Sequence, residues 1–180
     1  MVLFSLINVK NVDAGNGTIM TSKLVNVGIA QVMFGDKTNI LRTILGSCVG
    51  ICIYEKVAHI GALAHILLPE DTTKSNNREK FAETAVPYMV ELLTKNGGKV
   101  PNMTAKIAGG ASMFNFAASF ALGNIGDKNV DMTLKMLQKF NIPVLEQDVG
   151  GNVGRVIDFN LSDGSLKVKA GGKEQIFYKI

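Results

Sequence analysis

Both cysteines and both histidines of the chain fall within one stretch, residues 43–69: Cys48, Cys52, His59 and His65. A thiolate is a strong nucleophile, but a free cysteine has a pKa of about 8.5, so only a small fraction is ionised near neutral pH. A histidine can remove the thiol proton or stabilise the thiolate. If the protein is an enzyme that acts through a nucleophile, the sequence therefore predicts that nucleophile and base lie in this stretch.

Cys48 is the better nucleophile candidate of the two thiols, and we expect His65 to be its base. Gly46 and Ser47 precede Cys48, and small residues there permit a tight turn that exposes the sulfur. Such a turn also directs backbone N–H groups at a developing oxyanion, which makes Gly46 and Ser47 candidates for an oxyanion or substrate loop. Cys52, in contrast, lies in an apolar alternation typical of a buried strand and is interpreted as a core residue.

The same stretch permits other interpretations, which the spacing disfavours. The two cysteines and two histidines are zinc-ligand types, but neither a C-x2-C nor an H-x3-H spacing occurs, so we predict no metal site. Ser47 could act in a Ser–His–Asp arrangement, although Cys48 is the intrinsically better nucleophile. His59 follows two charged residues and is expected to be exposed or structural. The glycine pairs at 109–110 and 150–151 match neither common nucleotide-binding pattern.

Composition limits the classes of protein to consider. The chain has 180 residues, of which 47% are hydrophobic and 19% charged, which is typical of a globular domain with a real core. A net charge of +4 without a concentrated basic segment argues against nucleic-acid binding. No apolar run is long enough to cross a membrane and no signal peptide is recognised, so we expect no membrane insertion. Cysteines that are free thiols would fit the cytoplasm.

The predicted elements run as strands, then mostly helices, then strands, which indicates an α+β domain. Strands are predicted at residues 25–34, 38–45, 48–54, 60–68, 104–108, 143–147, 153–159, 166–169 and 175–179. A short helix beginning at Cys48 is an alternative to the third strand. One helix is predicted from about residue 81, with Pro87 kinking it or marking a later start, and another from an Asp127 N-cap to Phe140. Residues 111–122 are read as helix or packed loop, and residues 1–24 as an extension, with at most one short strand, to a single domain at 25–180.

Six segments are informative when taken together: LGSCVGICIY at 45–54, AHILLP at 64–69, KFAETAV at 80–86, AKIAGGASMF at 105–114, IGDKNV at 125–130 and QDVGGNVGR at 147–155. In this order they resemble the CheD family of chemoreceptor glutamine deamidases, over about residues 25–169. The resemblance implies an α+β layered sandwich of mixed β-sheet with helices packed outside. It also implies a cytoplasmic hydrolase of chemotaxis signal transduction that needs no metal or cofactor.

The resemblance further implies what each residue of the site does. The family converts selected glutamine side chains of methyl-accepting chemotaxis receptors to glutamates, with release of ammonia. Cys48 corresponds to its nucleophile, His65 to its general base and acid, and Thr43 to its third catalytic position. The receptors are the protein substrate, and some members also bind the phosphatase CheC. The second glycine-rich segment offers candidates for substrate or partner binding: Gly109, Gly110, Met113 and Phe114.

Three rivals to the deamidase remain open from the sequence, and one of them is zinc binding by the two cysteines and two histidines despite their unfavourable spacing. A non-catalytic docking module could keep this fold and bind CheC or chemoreceptors. A cysteine amidase or transglutaminase-like enzyme could use the same Cys48–His65 pair on another substrate.

Overall fold

A computed structural model describes residues 7–12, 19–112 and 125–177. Within these ranges the chain forms eleven strands, two α-helices and one short 3-10 helix at Val100–Asn102. The strands are β1 Ile7–Val12, β2 Ile19–Asn26, β3 Gln31–Asp36, β4 Asn39–Leu45, β5 Val49–Glu55, β6 Ile60–Ile66, β7 Met103–Gly109, β8 Val144–Val149, β9 Arg155–Asn160, β10 Leu166–Ala170 and β11 Lys173–Phe177. The helices are α1 Ala82–Lys95 and α2 Ile125–Lys139.

The strands form two mixed sheets that pack face to face. One sheet has six strands in the order β1-β2-β4-β9-β10-β11, and the other has five in the order β3-β6-β5-β7-β8. The pairs β2–β4 and β7–β8 are parallel, and the other pairs are antiparallel. Helices α1 and α2 pack on the five-stranded sheet. The predicted α+β layered sandwich with helices outside is confirmed.

The central strand β5 shows how the sequence specifies the layers. Val49, Ile51 and Ile53 face the helices in one core cluster, while Cys52 and Tyr54 face the six-stranded sheet in a second cluster. Both faces of β5 are therefore covered, and all seven of its residues are buried. This period-two division is typical of a strand, so the alternative of a helix beginning at Cys48 is wrong.

Two boundary predictions are wrong for reasons that involve other parts of the fold. The predicted strand at residues 25–34 is two strands, because β2 ends at Asn26 in one sheet and β3 begins at Gln31 in the other. The chain crosses between the layers here, and Ala30 takes a left-handed φ of 56° at the crossing. Asp127 is not an N-cap, because α2 already includes Ile125. It lies instead in the first turn of α2, where a carboxylate interacts favourably with the helix dipole.

Other sequence predictions concern helix α1 and the N-terminal segment. Pro87 lies inside α1, which begins at Ala82, so the proline does not mark a later start. The described residues within 1–24 belong to two strands, β1 and most of β2, where at most one short strand was expected. The division into an extension and a domain at residue 25 stays a prediction. None of the described helices is long and apolar enough to cross a membrane.

Candidate active site

Cys48 and His65 lie near each other because one directly precedes β5 and the other lies on the neighbouring antiparallel strand β6. Cys48 lies in a bend directly before β5, and the β5–β6 register pairs Gly50 with His65 and Val49 with Ile66. Cys48 is two residues from Gly50 and packs in the cluster that faces the six-stranded sheet. The two side chains are therefore diagonal neighbours on one face, a relation that separates such positions by about 7 to 8 Å. The predicted pair of nucleophile and base is brought together.

Gly50 allows the two sheets to approach closely at this point. A Cβ atom on Gly50 would lie 2.8 Å from Ile157 Cδ1 and 2.9 Å from Leu45 Cδ1, which is closer than side chains pack. A methyl group here would require the ends of these two side chains to shift. Without a side chain at Gly50, Ile157 and Leu45 of the six-stranded sheet pack directly against β5.

Thr43 orients the His65 ring. It lies on β4, in the opposite sheet, and its Oγ1 is 2.7 Å from His65 Nδ1 and 2.7 Å from the carbonyl oxygen of Val27. The hydroxyl has one proton, which it donates to the Val27 carbonyl, so it accepts a hydrogen bond from Nδ1–H. This network assigns the tautomer with the proton on Nδ1. Nε2 is then an unprotonated nitrogen, and it is buried with no hydrogen-bond partner among the described residues.

Burial disfavours the charged forms of both Cys48 and His65, and the pKa of each group shifts accordingly. It raises the pKa of the Cys48 thiol, while the backbone N–H of Cys48 itself partly offsets this by lowering it. Burial lowers the pKa of His65, and the backbone of Val27 partly offsets this by raising it through hydrogen bonding. Near neutral pH the resting pair is therefore a neutral thiol and a neutral imidazole. Such a pair suits general-base catalysis rather than a preformed thiolate.

The glycine pair at the end of β7 holds the backbone around Cys48 through hydrogen bonds. Gly110 N–H donates to the Cys48 carbonyl at 2.8 Å, and Ala111 N–H donates to the Gly46 carbonyl at 2.8 Å. Gly109 has a φ of 110°, and a Cβ atom there would collide with the Cys48 carbonyl oxygen. Only glycine meets both demands. Their predicted role in substrate or partner binding stays a prediction, and Met113 and Phe114, with most of the predicted segment 111–122, lie outside the described residues.

Asn129 of α2 is a site neighbour that the sequence reasoning missed. Its side-chain Nδ2 donates to the carbonyls of Ser47 and Leu67, each at 3.1 Å, and the residue is 0% exposed. A signal was present: Asn129 and Thr133 are four residues apart, and both are buried on the helix face that also buries Leu137. Polar residues inside an apolar stripe indicate a specific hydrogen-bonding role.

The remaining thiol and imidazole lie away from this pair. Cys52 is 1% exposed and pairs across the sheet with Lys106 on β7, and burial raises the pKa of its thiol far above the ordinary value. His59 lies before β6, at the opposite end of that strand from His65, and its Nδ1 is 2.7 Å from the Tyr54 hydroxyl. Among the described side chains no group of three or more His, Cys, Asp or Glu could hold a metal ion.

The lowered pKa of His65 predicts how stability depends on pH. As pH falls through the ordinary value of 6.5, the unfolded chain binds a proton at this residue that the folded chain does not, so the free energy of unfolding falls. We expect the native melting temperature to fall more steeply than that of His65→Asn between about pH 7.5 and 5.5. Thermal unfolding of both proteins in matched buffers measures this, and parallel curves would contradict it.

Comparison with known proteins identifies the family of the chain. The family model described as CheD chemotactic sensory transduction matches residues 67–170, more than half of the chain. A protein of Clostridium kluyveri named "Probable chemoreceptor glutamine deamidase CheD" is 46% identical over 156 residues, which cover 85% of this chain and 96% of that protein. The chain belongs to the CheD family. The resemblance found from the sequence is thus confirmed.

Two further CheD relatives carry the same printed name. That of Clostridium acetobutylicum is 42% identical over 153 residues, covering 83% of this chain and 92% of that protein. That of Caldanaerobacter subterraneus subsp. tengcongensis is 40% identical over 156 residues, covering 85% and 96%. The family model begins two residues after His65, but a match over 85% of the chain includes the segment from Thr43 to His65 wherever it starts.

Proposed function

We propose that this protein hydrolyses the side-chain amides of glutamines in chemoreceptors, the activity that the names of its CheD relatives state for those proteins. The observation that carries this proposal is the hydrogen bond between Thr43 Oγ1 and His65 Nδ1. It leaves His65 Nε2 unprotonated on the same sheet face as Cys48, and within the described part of the chain this nitrogen has no hydrogen-bond partner. A base and a nucleophile in this relation are the two groups that cysteine-dependent amide hydrolysis needs.

In the first half of the proposed reaction, Cys48 attacks the glutamine carboxamide. His65 Nε2 removes the thiol proton as the sulfur attacks the carbonyl carbon, which suits a pair that is neutral at rest. The backbone N–H groups of residues 46–48 are the candidates to stabilise the tetrahedral oxyanion. His65 then gives its proton to the departing nitrogen, the C–N bond breaks, ammonia leaves, and a thioester to Cys48 remains.

In the second half, water hydrolyses the thioester. His65 Nε2 takes a proton from the attacking water, and the C–S bond then breaks with the proton returned to the Cys48 sulfur. The products are a glutamate side chain and the free enzyme, so the two halves together consume one water and release one ammonia. In both halves Thr43 keeps Nδ1 protonated and the ring oriented.

The proposal is tested by incubating the native protein with the cytoplasmic fragment of a chemoreceptor from the same genome. We expect stoichiometric ammonia release and conversion of particular glutamines to glutamates, identified by peptide mass. A receptor fragment in which those glutamines are already glutamates serves as the control and should release none. Ammonia release from small amides without receptor modification would favour an amidase with another substrate, and no conversion of a cognate receptor would contradict the proposal.

A docking function is the second candidate, because a suitable groove lies beside the site. A groove of about 670 Å³ runs along α2 and is lined by Leu68, Pro69, Ile125 and Met132 together with charged residues such as Lys128 and Lys135. It begins three residues after His65. CheC and the receptors are the partners that the family resemblance suggests. Binding of either without glutamine conversion, in the assay above, would favour this function.

We also propose that this protein acts in the cytoplasm. Chemoreceptor modification would take place on the cytoplasmic segment of the receptor, and Cys48 and Cys52 are both free thiols. Free thiols persist in a reducing compartment.

A further inference from the structure

The strand ladder that carries the site ends just where the reacting groups begin. The last β5–β6 pair before the bend is Val49 with Ile66, and the next position would pair Cys48 with Leu67. There the amide of Asn129 lies between the two strands and donates to the carbonyls of Ser47 and Leu67. A side chain from α2 thus bridges the two chain segments that hold Cys48 and His65 at the point where their backbones separate.

The hydrogen bond to Ser47 has a consequence for the nucleophile. The Ser47 carbonyl and the Cys48 N–H belong to one trans peptide, and in such a planar unit these groups point in opposite directions. Asn129 reaches the carbonyl from the helix side of the sheet, whereas the Cys48 side chain packs on the side of the six-stranded sheet. The Cys48 N–H is therefore turned away from α2 and toward its own thiol. The backbone N–H of Cys48 is also the group that lowers its thiol pKa.

Close packing of α2 against the backbone of Gly110 fixes how far the Asn129 side chain extends between Ser47 and Leu67. Gly126, one turn earlier on α2, lies against Gly110, and a Cβ atom at Gly126 would collide with the Gly110 carbonyl oxygen. Gly110 in turn donates to the Cys48 carbonyl at 2.8 Å. The first turns of α2 and the segment before β5 are therefore held in one arrangement, with little freedom for the Asn129 amide to shift.

The side chain of Asn129 does not satisfy all of its own hydrogen bonds. Both of its N–H groups are used, but Oδ1 is buried without a partner in the described part of the chain. An unpartnered buried oxygen carries a desolvation cost that an apolar residue would avoid. A residue chosen for packing alone would therefore not be an asparagine here, and the two carbonyls that it contacts are those beside Cys48 and His65.

We propose that Asn129 is a positioning residue, which holds the Ser47–Cys48 peptide so that the Cys48 N–H faces the oxyanion and fixes the distance between the two reacting strands. The inference rests on the proposed function, and it assigns Asn129 no contact with the substrate. Loss of one oxyanion donor, or a displacement of about 1 Å, costs on the order of 100-fold in rate. The loss should appear in kcat, because receptor binding does not involve this buried amide.

The test compares Asn129→Leu with Thr133→Val. Leucine is close in size to asparagine but cannot donate, and Asn129→Ala is a second variant if leucine does not fit. Thr133 is also 0% exposed on α2, and its hydroxyl donates to the Asn129 carbonyl at 2.7 Å, so valine there removes one buried hydrogen bond without touching the bend before β5. We expect all variants to fold with lowered melting temperatures. Only the Asn129 variants should lose about 10- to 100-fold in kcat with an unchanged KM for the receptor fragment.

A second readout separates this inference from the proposed function. The rate of Cys48 alkylation by iodoacetamide, followed by peptide mass, needs no receptor. We expect the Asn129 variants to be alkylated several-fold more slowly than the native protein, and Thr133→Val at the native rate. Native alkylation rates in folded Asn129 variants would overturn the inference even if the receptor is deamidated, as would an equal loss of kcat in Thr133→Val. If the native protein fails to deamidate the receptor but the alkylation rates differ as expected, only the proposed function is overturned.

Discussion

Replacement of Cys48 by alanine is expected to reduce glutamine deamidation at least about 10³-fold, to the background of the assay. The sulfur is the atom that would bond to the glutamine carbon, and alanine has no nucleophilic atom to replace it. Alanine is smaller than cysteine at a site that is only 8% exposed, so the fold should persist with a modest loss of stability. The measurement is ammonia release and peptide mass on the receptor fragment, with circular dichroism to confirm folding.

Cys52→Ala is the matched control for this prediction. It removes the other thiol of the chain, from the same core cluster and from a side chain that is 1% exposed. We expect the Cys52 variant to retain activity while losing about as much stability as Cys48→Ala. Native activity in Cys48→Ala would end the proposed mechanism, and equal inactivation by Cys52→Ala would show that packing in this cluster, rather than the nucleophile, controls the rate.

Replacement of His65 by asparagine is expected to cost about 10²- to 10⁴-fold in kcat, the usual contribution of general acid–base catalysis. The asparagine Nδ2 falls near the position of the histidine Nδ1, so it can still donate to Thr43 Oγ1. What it lacks is Nε2, the nitrogen that would move the proton between Cys48, the ammonia and the water. The measurement is kcat on the receptor fragment, together with the rate of Cys48 alkylation, which should also fall.

The Thr43→Val variant tests the orientation of the His65 ring separately from the basicity of its Nε2. Valine has the shape of threonine but cannot accept from Nδ1–H, so the ring keeps its basic nitrogen and loses the contact that fixes its tautomer. We expect an intermediate loss of about 10- to 100-fold in kcat. If His65→Asn retains native kcat, His65 is not the base; if Thr43→Val is as slow as His65→Asn, the hydroxyl has a role beyond orientation.

The pair of Cys48 and His65 could be predicted from the sequence because it depends on local structure. Cys48 directly precedes β5 and His65 lies on β6, the next strand along the chain, which is antiparallel to β5 and joined to it by a short turn. Alternation along each strand decides which side chains share a face. The α+β class and most strands could be predicted for the same reason. The break between β2 and β3 could not, because it depends on which sheet each half joins.

The sequence alone therefore predicts the type of chemistry: a thiol beside an imidazole, within the motifs of the CheD family. The protonation state of that pair depends on contacts made in the folded protein. The Val27 carbonyl and the Thr43 hydroxyl assign the proton to His65 Nδ1, and burial between two sheets keeps both groups neutral. Asn129 reaches Ser47 across 82 positions of the chain. Burial and long-range hydrogen bonds have no local pattern in a sequence, so the physical environment of the site became visible only when the layers were assembled.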